Sequence, residues 1–131
     1  MVAVNTPVNP RELAPPAASY SHAYVSPAGS SLIHTSGVVP IRRDGSVPAG
    51  IVDQVEVVWA NIRTILGAAG FLMSEVVSVT TYVVAGEDLG DVMAARDRAM
   101  AGHRPASTLV VVPQLARPEW RVEIAVVAAQ S

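Results

Sequence analysis

The sequence contains neither cysteine nor lysine. The first absence excludes thiol nucleophiles, disulfides and thiolate metal sites. The second excludes Schiff-base chemistry on lysine, and with it lysine-dependent pyridoxal phosphate chemistry. The histidines His22, His34 and His103 are far apart and lack the spacing of metal ligands. No glycine-rich run opens a predicted helix, so a phosphate-binding loop is also missing. We therefore expect no metal and no cofactor.

The charged residues are few and nearly balanced. Lysine and arginine together number 9 and the acids 11, which gives a net charge of -2, and the longest basic run is Arg42-Arg43. Binding of nucleic acid usually requires a basic patch, so we expect no such partner. The chain shows no signal-peptide pattern and no apolar run of membrane-spanning length. The expectation is a soluble cytoplasmic protein with no membrane partner.

Hydrophobic patterning predicts one α+β domain over residues 1–131, with residues 1–18 as an extended, proline-rich N-terminal arm. We expect both helices to pack on one face of a mixed sheet of about six strands. The uncovered face is apolar enough that another subunit should cover it. The predicted elements are a strand hairpin at 20–25 and 31–39, helices at 51–69 and 87–101, and strands at 76–84, 108–112 and 121–129.

One acid interrupts the last apolar strand. Glu123 shares its strand face with Ala125 and Val127, because successive side chains alternate between faces. Burying a carboxylate among alkyl groups is costly unless it is paired or its pKa rises, so a functional acid is one interpretation. The other is a solvated glutamate, or one paired with Arg104 or Arg121. The residues alone leave both open.

Several segments, in this order and spacing, resemble the RidA/YjgF/UK114 (Rid) family. The resemblance implies a chorismate-mutase-like sheet backed by two helices, assembled as a homotrimer with a small-molecule cleft at each subunit interface. It also implies hydrolysis of reactive enamines and imines to 2-oxo acids and ammonia. The matching segments are YSHA at 20–23, HTSGVVP at 34–40, NIRTILGAAG at 61–70, VVSVTTYVV at 76–84, RPAST at 104–108 and RVEIAVVA at 121–128.

The resemblance also assigns roles to individual residues. Glu123 matches the family glutamate that positions water or moves a proton. Tyr20, Ser36 and Gly37 match residues that line the cleft. Independently of the family, the Ser36-Gly37 pair inside a predicted strand indicates a bulge or a place where another group approaches the backbone.

Three positions depart from the family pattern. The arginine that clamps the substrate carboxylate is replaced by Ser107, a cleft asparagine by Met93, and a common glutamine by Val38. Losing a bidentate charge-assisted pair should cost about 2–5 kcal/mol of substrate binding. Arg104 or Arg121 could supply a cation from nearby, whereas Arg96 is interpreted as a charge that complements the C-terminal end of its helix.

Two functions remain open at this point. The first is a small-molecule hydrolase, an enamine or imine deaminase whose substrate is not the usual carboxylate-bearing 2-aminoacrylate type. The second is a non-catalytic trimer that binds or protects a metabolite. Some relatives of the family have been described as ribonucleases, but the acidic balance of this chain argues against RNA binding.

Overall fold

A computed structural model describes residues 4–131; the first three residues of the predicted arm lie outside the described part. The described part of the arm contains a short strand, and a turn closed by a hydrogen bond from the Leu13 amide to the Pro10 carbonyl. A 3-10 turn, Met73–Glu75, precedes the longest central strand. The strands are β1 (Thr6–Val8), β2 (Ala23–Val25), β3 (Ser31–His34), β4 (Val76–Val84), β5 (Ala106–Val112) and β6 (Val122–Gln130), and the helices are α1 (Ile51–Ala68) and α2 (Leu89–Met100).

Six strands are present and the larger sheet is mixed, as predicted, but β1 and β2 form a separate antiparallel pair and are not part of that sheet. The larger sheet has the order β3-β6-β4-β5, in which β4 and β5 are parallel and the other pairs antiparallel. The predicted hairpin between 20–25 and 31–39 is wrong. Strand β2 pairs instead with β1 of the arm, and Ser21 bridges Ala106 at the start of β5. Strand β1 of the arm therefore pairs with β2, and β3 is the edge strand of the larger sheet, where it pairs with β6.

Strand β3 is also shorter than predicted, because the chain bulges after His34. His34 pairs with Val127 and Val38 pairs with Ile124, so four residue steps on one side face three on the other. The extra residue lies in the Thr35–Gly37 stretch. The bulge predicted from the Ser36-Gly37 pair is therefore present.

Both helices pack on one face of the larger sheet. The buried stripe of α1 is spaced by three or four residues and contacts the inward side chains of β4 and β6. Ala101, in the left-handed conformation with φ 49°, ends α2. The core residues from these elements are Val55, Val58, Trp59, Ile62, Leu66, Val79, Val83, Val92, Val122, Ile124 and Val126.

A buried amide fixes the beginning of β6. Gln54 is 1% exposed; its Nε2 donates to the Pro48 and Glu119 carbonyls at 2.8 Å each. Its Oε1 accepts from the Arg121 amide at 2.8 Å. Because both ends of the amide are satisfied, Gln54 holds the chain entering β6 in one position, two residues before Glu123.

The opposite face of the sheet is formed by the alternate residues of the same strands. Neither helix packs on this helix-free face, and Val110 is 39% exposed there. The central residues of the helix-free face are Thr80, Tyr82, Thr108, Val110, Glu123, Ala125 and Val127.

Within residues 4–131 neither helix is both long and apolar enough to cross a bilayer.

Candidate functional site

The Glu123 carboxylate lies directly against the backbone of Gly37. A Cβ atom placed on Gly37 would lie 1.9 Å from Glu123 Oε2, far inside van der Waals contact. The two segments are held together by backbone bonds between Val38 and Ile124, at 2.7 and 3.0 Å. Any side chain at position 37 would therefore force the Glu123 side chain to move, because the acid occupies that space. This is the close approach that the strand glycine predicted.

Glu123 does not form the ion pairs considered from the sequence. Arg121 Nε donates to Glu87 Oε2 at 2.8 Å, so this arginine is paired with another acid. Among residues 4–131 no hydrogen bond or salt bridge reaches the Glu123 carboxylate. The acid is half-buried on the helix-free face, beside Tyr82 of β4. It is thus free to accept a proton or orient a water molecule.

Ser107 points to the other side of the sheet. It pairs in register with Val79, a core residue, so its side chain faces the helices. Arg96 of α2 approaches it there, with Nη1 3.4 Å from Ser107 Oγ. The cation beside Ser107 therefore comes from α2, and not from Arg104 or Arg121.

Arg96 is 6% exposed, a burial that its interpretation as a charge complementing the C-terminal end of α2 did not include. Its Nε donates to Asp97 Oδ1 at 3.1 Å. Its Nη2 lies 3.1 Å from the same oxygen, but the geometry is not that of a hydrogen bond. The sequence carried a signal for this burial, because Arg96 lies four residues from both Val92 and Met100 on the apolar stripe.

The other predicted site residues separate into two groups. Ser36 is exposed next to Gly37, and Met93 is half-buried three residues before Arg96 on α2. Tyr20 is half-buried, and its hydroxyl accepts from the Ala17 amide at 3.2 Å. It precedes Ser21, whose Oγ donates to the Arg104 carbonyl at 2.5 Å. That bond places Tyr20 near the start of β5, where Ser107 lies.

We call Ser36, Gly37 and Glu123 the acid half, and Tyr20, Met93, Arg96 and Ser107 the serine half. Within one chain the structure does not bring the halves together. Glu123 and Ser107 lie on strands separated by β4, with side chains on opposite faces of the sheet. In residues 4–131 no three histidine, aspartate or glutamate side chains cluster as metal ligands would. The groups on offer are a carboxylate in one half and hydroxyl and guanidinium donors in the other.

Comparison with other proteins gives the family. The model of the endoribonuclease L-PSP family matches residues 11–130. The chain is 31% identical to protein HMF1 of Saccharomyces cerevisiae over 88% of each chain. It is 29% identical to the 2-iminobutanoate/2-iminopropanoate deaminase of Escherichia coli K12, over 76% of this chain and 80% of that one. The crystal structure of the Rid-family protein YyfB from Yersinia pestis superposes with a TM-score of 0.86 at 28% identity, covering 96% of this chain and 98% of that one. The chain therefore belongs to the endoribonuclease L-PSP family, which is the RidA/YjgF/UK114 family that its sequence resembles.

Proposed function

We propose that this protein hydrolyses an imine or enamine in a cleft between subunits, with Glu123 as the catalytic acid–base group. The observation that carries this proposal is the unpaired carboxylate held against Gly37 on the helix-free face. Relatives named 2-iminobutanoate/2-iminopropanoate deaminase and reactive intermediate deaminase support the class of reaction. The subunit cleft is supported by the separation of the two halves in one chain.

In the proposed reaction, Glu123 accepts a proton from a water molecule as the water oxygen adds to the imine carbon. The electron pair of the C=N bond moves to nitrogen, which takes up that proton from Glu123. In the resulting carbinolamine the glutamate then accepts the hydroxyl proton and passes it to nitrogen, as the C=O bond forms, the C–N bond breaks and ammonia leaves. The products are a carbonyl compound and ammonia, and the same carboxylate serves both proton transfers.

We further propose a homotrimer in which the acid half of one chain meets the serine half of the next. Such a head-to-tail contact closes into a ring, and it covers apolar residues of the helix-free face. Sedimentation that gives a stable monomer at micromolar concentration contradicts this assembly.

The substrate that we propose is not of the carboxylate-bearing 2-aminoacrylate type. With serine at position 107, the strand presents no guanidinium for a bidentate carboxylate pair. RNA cleavage is not part of the proposal despite the family name, because the net charge is -2. The cytoplasmic location stays a prediction from the sequence.

The test is ammonia release from a panel of imines, with the purified wild type and two variants. Glu123→Gln should lower kcat by about 10²–10⁴-fold, since it removes the proton acceptor but keeps the shape. Glu119→Gln is the matched control, because Glu119 is exposed before β6 and belongs to neither half. Equal rates in the wild type and in Glu123→Gln would reject the proposal.

The replacement of both an arginine and an asparagine favours a second candidate, a trimer that binds or protects a metabolite without turnover. Ser107 and Met93 are the residues concerned. Ligand binding in the cleft with no ammonia release from any imine would support it. Turnover that depends on Glu123 would reject it.

A further inference from the structure

The guanidinium of Arg96 is buried, and the reaction proposed above gives it no role. It is 6% exposed, and its Nη2 lacks a hydrogen-bond partner in the described part of the chain. A buried cation is costly unless it is paired, and here the compensation is incomplete. Asp97 supplies one oxygen, but its side chain is 44% exposed. Among residues 4–131, the other hydrogen bond of the Arg96 side chain is with Ser107.

The direction of the Arg96–Ser107 contact determines what Ser107 can do. Arg96 Nη1 has no lone pair to offer, so the serine oxygen accepts and the guanidinium donates. The Ser107 proton is then free to donate to a third group. A hydroxyl that accepts from a cation is a better donor, because hydrogen bonds in a chain polarise one another. Ser107 is half-buried at the edge strand β5, whereas Arg96 lies behind it.

The net charge beside Ser107 is set by the pair of Arg96 and Asp97. Asp97 Oδ1 lies 3.1 Å from both Nε and Nη2 of Arg96, so the pair carries no net charge. A carboxylate arriving at Ser107 meets the repulsion of Asp97 as well as the attraction of Arg96. A neutral acceptor such as a carbonyl oxygen is subject to no such repulsion, and it still receives the serine hydrogen bond.

We propose that Arg96 is a positioning residue that orients Ser107 to donate to a neutral carbonyl oxygen of the substrate. The substrate class is then an imine or enamine that carries an amide, ester or ketone oxygen in place of a carboxylate. This inference rests on the proposed function and narrows its substrate. Asp97 is the residue that sets the preference between neutral and anionic acceptors.

The probes are 2-oxopropanamide and 2-oxopropanoate, which differ only in this acceptor group and mimic the product of imine hydrolysis. Their dissociation constants are measured by titration calorimetry on the full-length protein. The wild type should bind the amide about tenfold more tightly than the acid, because Ser107, Arg96 and Asp97 together offer hydrogen-bond donors but carry no net charge. Tighter binding of the acid by the wild type overturns the proposal.

Two substitutions separate positioning from simple structural support. Asp97→Asn leaves Arg96 uncompensated, so the ratio of the two affinities should move about tenfold toward the acid. Arg96→Met should weaken amide binding about fivefold, and Arg96→Lys should recover part of it by restoring a donor. A structural role would change both probes equally. An unchanged ratio in Asp97→Asn overturns the proposal even if Arg96→Met fails to fold.

Failure of this inference is distinguishable from failure of the proposed reaction. The binding ratio is measured without turnover, whereas the reaction is tested by ammonia release in Glu123→Gln. A wild type that prefers the acid but loses turnover without Glu123 keeps the reaction and rejects the amide preference. The reverse pattern rejects the reaction and keeps the preference.

Discussion

The acid half and the serine half each place a polar side chain in an apolar sheet, but they accommodate it differently. Glu123 is accommodated by removing a side chain, since Gly37 leaves the space that the carboxylate fills. Ser107 is accommodated by a second polar side chain, because Arg96 of α2 donates a hydrogen bond to it. The first group has no partner among the described residues, and the second is partnered. This difference is the basis for proposing Glu123 as the reacting group and Ser107 as a recognition group.

The largest loss of stability should come from replacing Gln54, whose side-chain amide fixes the beginning of β6 next to the acid half. Gln54→Leu leaves the Pro48 and Glu119 carbonyls and the Arg121 amide without their partner, so we expect a loss of about 3 kcal/mol in the free energy of unfolding. Urea denaturation measures it. Gln130→Leu, at the far end of β6, is the control and should cost less than about 1 kcal/mol. Similar costs for the two variants would show that Gln54 is not the anchor.

The next effect tests the close approach within the acid half. Gly37→Ala places a methyl group where Glu123 lies, and we expect a destabilisation of about 1–3 kcal/mol from overpacking. Gly37 is not in the left-handed region of φ, so alanine meets no backbone strain there. Adding Glu123→Ala should therefore recover most of the loss. A double variant as unstable as the sum of the single ones contradicts the packing that we describe.

A smaller effect tests whether the serine half determines recognition. Ser107→Arg combined with Arg96→Met moves the guanidinium from the helix to the strand. We expect the preference between 2-oxopropanamide and 2-oxopropanoate to move about tenfold toward the acid, because a strand arginine without Asp97 beside it can form a bidentate pair. Calorimetry on the double variant measures this. No movement would mean that position 107 does not contact the ligand.

The smallest effect comes from the ion pair that takes Arg121 away from Glu123. Arg121→Gln removes the 2.8 Å contact with Glu87, in which the side chains are 33% and 20% exposed. Because solvent screens such a pair, the cost should be about 0.5–1 kcal/mol, with no change in imine turnover. Denaturation and ammonia release are the two measurements. Lost turnover at unchanged stability would show that Arg121 contributes to the reaction together with the acid half.

Much of the architecture could be predicted from the sequence, because each long element has a clear period. Strand β4 begins and ends as predicted, and α1 ends one residue early. The hairpin could not be predicted, since three residues of the arm, Thr6–Val8, displace it by pairing with β2. A three-residue strand has too little pattern to be recognised.

Glu123 and Gly37 stand out in the sequence for a local reason, whereas Tyr20, Met93 and Ser107 were named only through the family resemblance and the contact of Arg96 with Ser107 was not predicted. Glu123 interrupts an apolar strand, and Gly37 interrupts another, so each is visible as an exception to its neighbours. Ser107 and Arg96 are eleven residues apart on different elements, and their contact depends on how α2 packs against β5. The position of Arg96 on a buried stripe was the available signal, but a charge near the end of a helix has a simpler explanation.

The central claim is that the two halves of one site belong to different subunits. It is tested by mixing the inactive variants Glu123→Gln and Ser107→Leu, unfolding and refolding them together, and measuring imine turnover. In a ring of three chains, random assembly restores one intact site in each mixed trimer, so roughly a quarter of the wild-type activity should return. If the mixture is as inactive as its two components, the halves do not meet across a subunit interface.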